Sequence, residues 1–296
     1  MGGAAADARV LVERSVSGVR IVVFGASGMV GRAVVASAGA VNAEIVAPTR
    51  QGDGLLAESP GDLRPLLRGA QVAVNCIAVL RSDASYGTAE YRRTAILVNA
   101  LWPHVLCEQA GDVGCRLVQI STDAVFAPAE APATEDTATD ASEPYGMSKA
   151  LGEVTGNALN IRLSAIGPAS DRGAGLWQWV IGQRRNAVVD GHSGFGWSGC
   201  TSKQVAQLVV DLLPAENFEI VREKGAIHHF APNGVATKYE ALVCLAERFR
   251  PDLTVRPVAQ EAPTCRPLVS TVKALESVYT GSRGWRAAIE GVPWPE

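Results

Sequence analysis

The run VRIVVFGASGMVG, residues 19–31, constrains the fold more than any other part of the chain. VRIVVF is short and almost wholly apolar, which reads as a strand buried on both faces. Gly25, Gly28 and Gly31 follow in a G-x-x-G-x-x-G spacing, and MVGRAVVASAG then takes up helical periodicity. Glycines at these points permit a tight turn, let the backbone approach a pyrophosphate and let the helix pack closely on the strand. The start of the helix offers free N–H groups and the positive end of its dipole to phosphates. Ser27, Met29 and Val30 belong to the same turn and are expected to line a dinucleotide. No G-K-[ST] closes the turn, so a P-loop is excluded.

The same rhythm continues downstream. AEIVAP (43–48), QVAVNCIAV (71–79), RLVQIS (116–121) and NIRLSAIG (160–167) read as further strands, with helical stretches between them. Near-continuous apolar strands alternating with helices predict an α/β fold, a Rossmann-type doubly wound parallel sheet. Beyond it the rhythm loosens into a Gly-rich stretch, helices near 203–213 and 238–248, and the strand GAIHHFA. The expected organisation is a flexible N-terminal extension (1–18), an NAD(P)-binding domain (19–165) and a smaller substrate-binding lobe (166–296). The polar segment 127–144 is long for a connection without periodicity, so a functional loop or lid is expected there.

Composition removes several classes of function. The chain has 296 residues, is 47% hydrophobic and carries a net charge of −3, with no dense basic cluster, so no nucleic-acid partner is expected. The six cysteines are scattered without a C-x-x-C pair and the four histidines form no ligand pattern, so neither a disulfide framework nor a metal site is expected. The N-terminus lacks a basic region followed by a long apolar core, and no apolar run reaches the roughly 18 residues that span a bilayer. A cytoplasmic protein without membrane contact is the expectation.

In dinucleotide folds an acid about 20 residues beyond the glycines marks NAD. Here the second strand ends in APTR, with Thr49 and Arg50 and no carboxylate. An arginine suits a 2′-phosphate, so NADP(H) is expected to be preferred, with NAD(H) as the alternative. Asp62 and Leu63 stand where an adenine could be bracketed, and Asn75, Cys76, Ile77 and Ala78 end the third strand beside the cleft.

The reacting groups follow from a second spacing. EPYGMSKALGE places Tyr145 and Lys149 four residues apart, on one face of a helix. A phenol ordinarily titrates near pH 10, too high to exchange protons readily at neutrality. A neighbouring ammonium is expected to pull that value down. Ser121, Thr122 and Asp123 lie at a strand's end, where hydroxyls can orient a carbonyl. Trp197, in the Gly-rich stretch, is either a substrate-lining ring or core packing.

GASGMVG, STDAVF, YGMSKALGE and IRLSAIGP, in that order, resemble the extended short-chain dehydrogenase/reductase superfamily and, more narrowly, the dTDP-4-dehydrorhamnose reductase family. WSGCTSKQVAQLV, GAIHHFAP with KYEAL, and CRPLVS resemble that family's C-terminal signatures, so the similarity runs over about residues 19–275. The resemblance implies Thr122, Tyr145 and Lys149 as the catalytic set, with Lys149 also holding the nicotinamide ribose and Asn99 in support. It implies reduction of the C4 ketone of a nucleotide-linked 6-deoxy-4-keto-hexose, in a protein that is commonly a homodimer. A nucleotide-sugar 4-epimerase and a non-catalytic cofactor-binding regulatory subunit are the alternatives. The chain departs from the family where Ala124 replaces an aromatic residue and where the third strand lacks its usual acidic sequel. Related dehydratases carry a glutamate at the Ala124 position, and alanine exchanges no proton.

Overall fold

The apolar β-branched runs become strands because each can bury both of its faces. The computed structural model describes residues 18–168 and 175–292. Six parallel strands form one sheet: β1 (Arg20–Phe24), β2 (Glu44–Val46), β3 (Val72–Asn75), β4 (Arg116–Ile120), β5 (Ala158–Arg162) and β6 (Ile227–His229). Their order is 2-1-3-4-5-6, so the winding reverses between β1 and β3. A crevice for a dinucleotide opens at such a reversal, beyond the carboxyl ends of the strands.

Side chains alternate across the sheet. Ile21 and Val23 face helix α1 (Met29–Ala40) and helix α4 (Ser202–Asp211), with Val34, Leu208 and Leu212 in one core. Val22 and Phe24 face the other way, onto Trp102 and Leu106 of α2, a continuous helix over residues 89–112. Its middle, Ile96–Leu101, winds as a π-helical turn that carries Asn99. Asn99 is fully buried; it accepts from the Val79 amide (2.8 Å) and donates to the Val79 carbonyl and to Ser148 on helix α3 (Pro144–Leu151).

The expected division at residue 165 does not describe the packing. After that point the chain returns to the sheet: α4 lies against α1, and β6 pairs with β5. The physical reason is the edge of β5, whose unpaired N–H and C=O groups need a partner. The smaller lobe has its own core, where Trp177, Trp197, Trp285, Leu242, Leu245 and Phe249 pack around helix α5 (Lys238–Phe249). A capping box by Thr237 and Glu240 starts that helix.

Segment 127–144 is a clamp rather than a lid. Ala133 exchanges backbone hydrogen bonds with Pro267 and Val269, and Ala129 donates to Cys265. Glu135 accepts from Ser270, from the Thr271 amide and from the His229 amide. Burial alone would raise the Glu135 carboxyl, but these hydrogen bonds hold it down at about 2.

Candidate active site

The glycine turn brings backbone against backbone. Gly25 adopts φ +80°, and a Cβ there would meet the Cys76 carbonyl carbon at 2.9 Å. A Cβ on Gly31 would collide with the Gly25 carbonyl oxygen, so helix and turn touch as backbone. A groove of about 360 Å³ runs past Gly25, Ser27, Gly28, Thr49, Arg50, Cys76, Ile77 and Ala78. A second cavity of about 440 Å³ shares Gly28, Cys76, Ile77 and Ala78 with it, and continues past Met29 and Val30 to Thr122, Tyr145 and Lys149. The two together have the course a dinucleotide needs, from an adenosine end at β2 to a nicotinamide end at β4.

Three expected cofactor residues are placed elsewhere. Leu63 is buried in the core, with its amide donating to Gln109. Asp62 pairs with Arg64. The wall expected of these two is built instead by Leu55, Ala57 and Glu58. Asn75 is turned inward: its amide donates to Gln119 (2.8 Å) and its oxygen accepts from the Trp102 indole (3.0 Å). It anchors the end of β3 and leaves the cleft to Cys76, Ile77 and Ala78.

At the other end three side chains converge. Lys149 is buried, with its ammonium donating to the Ile120 carbonyl at 2.7 Å. Burial brings it down to about 8, while the nearby Glu153 carboxylate opposes that shift. Tyr145 faces both the cofactor cavity and a third cavity of about 660 Å³. Burial pushes its phenol up to about 12, a hydrogen bond with Thr122 pulls the other way, and the charge of Asp123 raises it again. The expectation of a phenol below its ordinary value is therefore corrected: burial dominates the tyrosine and leaves it above that value.

Thr122 caps the short turn Asp123–Val125, with its hydroxyl accepting from the Ala124 amide (3.2 Å), and it lines both cavities. Ser121 differs from its neighbour. Its hydroxyl donates to Glu153 at 2.8 Å, and Glu153 forms a two-point ion pair with Arg162 in which both contacts are 2.7 Å. Ser121 lines the cavity with its hydroxyl tied into that buried network, whereas the Thr122 hydroxyl, which donates to Asp123 at 3.1 Å, lies where the two cavities meet.

The third cavity has Thr122, Asp123, Ala124, Tyr145 and Trp197 in its wall. Trp197 belongs both to the lobe core and to the wall of this cavity. It stacks on Trp285 (centroids 5.1 Å, interplanar 25°) in the lobe core, and it lines this cavity while donating to Ser164 at 3.0 Å. Arg81, Lys238 and Arg266 also line it and escaped the sequence reading. Two of them lie inside KYEAL and CRPLVS, so a signal existed, but nothing in either stretch says that its cation faces this cavity. Burial raises Asp123, and the charges of Arg266 and Lys238 and hydrogen bonds with Thr122 and Ser164 counter it.

The family described as the RmlD substrate binding domain matches residues 19–166, half of the chain. The chain belongs to this family. The dTDP-4-dehydrorhamnose reductase of Mycolicibacterium smegmatis is 29% identical over 285 residues, covering 92% of this chain and 84% of that one. Among solved structures, a dTDP-4-dehydrorhamnose reductase from Clostridium acetobutylicum superposes with TM-score 0.75 at 22% identity, covering 92% of this chain and 98% of that chain. One from Bacillus anthracis, solved in complex with NADP, gives 0.71 at 18% identity over 92% and 97%. The RmlD-family match thus spans β1 to β5, and the structural likeness extends the same fold through β6 and the smaller lobe.

Proposed function

We propose that this chain is an NADPH-dependent reductase of the C4 ketone of a dTDP-linked 6-deoxy-4-keto-hexose, acting in deoxysugar biosynthesis in the cytoplasm. The observation that carries the reading is the meeting of Thr122, Tyr145 and Lys149 where the cofactor cavity joins the third cavity. Family membership and the relatives' activity support the choice of substrate.

When bound, the reduced nicotinamide supplies the hydride that the carbonyl carbon receives. The protein does the rest. Thr122 and Tyr145 hold the carbonyl oxygen by hydrogen bonds, and the Tyr145 phenol, protonated at neutral pH, gives that oxygen its proton. Lys149, largely an ammonium below about 8, stabilises the resulting phenolate. Arg81, Lys238 and Arg266 supply positive charge for the substrate's diphosphate. Ala124 offers no acid for water elimination, which separates this site from a dehydratase. Ile96 and Leu101 on α2, and Met147 and Leu151 on the adjoining α3, expose apolar side chains that suit a homodimer. Among the described residues no helix is long and apolar enough to cross a membrane.

The purified protein should consume NADPH on addition of a dTDP-4-keto-6-deoxyhexose. Tyr145→Phe should lower kcat by about a hundred- to ten-thousandfold with cofactor binding retained. Unaltered turnover in that variant, or no consumption with any 4-keto-sugar nucleotide, defeats the proposal.

A further inference from the structure

The adenosine end of the groove holds a carboxylate that the sequence at the end of β2 does not show. Arg50 and Glu58 both line it, with an Arg50 guanidinium nitrogen 2.6 Å from one Glu58 carboxylate oxygen. The other oxygen, Oε2, is buried and has no hydrogen-bond partner among the described residues. An acceptor in that condition is costly unless a donor reaches it. Thr49, the neighbouring polar side chain, is tied to the turn: its hydroxyl accepts from the Gly52 amide and its own amide donates to Asp53.

We propose that Glu58 is a cofactor-selectivity residue: it accepts a hydrogen bond from the adenosine-ribose 2′-hydroxyl and so shifts the preference of the groove from NADPH toward NADH. The inference rests on the dinucleotide reading above and deepens it. A 2′-hydroxyl is a donor, which is what the unpartnered Glu58 oxygen lacks. A 2′-phosphate is an anion; it gains from Arg50 and is opposed by Glu58. The Arg50 side chain is 65% exposed and that of Glu58 31%, and an ion pair so open to water separates easily. Arg50 can therefore leave Glu58 for a phosphate, and Glu58 can serve a hydroxyl without help from Arg50. The two side chains pull the preference in opposite directions, and their balance fixes it.

The test is direct binding to the full chain, read apart from turnover. NADH and NADPH are titrated by their fluorescence, and AMP and 2′,5′-ADP by calorimetry, to isolate the adenosine end. Glu58→Gln should weaken NADH and tighten NADPH, moving the ratio of the two Kd values about tenfold toward NADPH, a shift equivalent to about 1.4 kcal/mol. Arg50→Gln should move it the opposite way, and the AMP to 2′,5′-ADP ratio should follow in both variants. Ratios unmoved by Glu58→Gln overturn this assignment while leaving the reductase reading intact. Failure of the unaltered protein to bind either dinucleotide overturns both.

Discussion

Two arginine–glutamate pairs stand at opposite ends of the cofactor cleft, and the contrast between them shows how one interaction serves two purposes. Arg162 and Glu153, at the reaction end, are 3% and 7% exposed and meet through two contacts of 2.7 Å. Arg50 and Glu58, at the adenosine end, are 65% and 31% exposed and meet through one. The buried pair cannot separate without stranding a charge in the core, so it fixes Ser121, and the Glu153 charge partly offsets the burial that lowers Lys149. The exposed pair separates readily and is free to respond to a ligand. The proposed chemistry thus has rigid support, and the proposed selectivity site has support that can exchange partners.

The largest expected effect breaks the buried pair. Glu153→Gln leaves the Arg162 guanidinium uncompensated and should cost about 3–5 kcal/mol of stability in urea unfolding. Glu58→Gln should cost less than about 1 kcal/mol in the same measurement. Equal losses in the two variants would end the contrast drawn here.

A second effect concerns pH. Lys149 is lowered to about 8, so it is an ammonium below that value and neutral above it. Tyr145, at about 12, stays protonated across the range. The rate of reduction should therefore fall as pH rises through about 8. Lys149→Arg, which cannot lose its proton, should remove that limb even if the overall rate drops. A limb that survives the substitution belongs to another group.

A third effect concerns a carboxylate held down by hydrogen bonds. Glu135 sits at about 2, below the ordinary 4.5, so its contribution is complete above pH 4.5 and is lost as pH falls toward 2. Glu135→Gln should lower stability at pH 7 by about 1–2 kcal/mol, with the gap to the unaltered protein closing in acid. A gap that does not narrow would mean that hydrogen-bonding shape, rather than charge, is what the clamp uses.

Some of this site was legible because its geometry is local. The turn Gly25–Gly31 is dictated by steric limits within seven residues of chain, and the facing of Tyr145 and Lys149 by the helical repeat. Ser121 and Asn75 were of the right type in the right place, yet partners distant in sequence took their polar groups. Asn75 found Gln119 at a separation of 44 residues, and Ser121 found Glu153 at 32. Asp62 and Leu63 were misplaced for a related reason. The segment between β2 and β3 has no periodicity to fix its path, so which residues face the adenosine groove was open until Leu63 entered the core.

The sequence by itself determined the α/β class, the parallel sheet through β5, the phosphate turn and the Tyr145–Lys149 spacing, since each follows from local sterics or from the period of apolar residues. Only the tertiary structure decided that β6 closes the sheet, that segment 127–144 is a clamp, and that Arg81, Lys238 and Arg266 face the third cavity. Burial is a property of the assembled chain, and it also decided the charge states. It placed Tyr145 near 12 and Lys149 near 8, against the simpler expectation that one would lower the other.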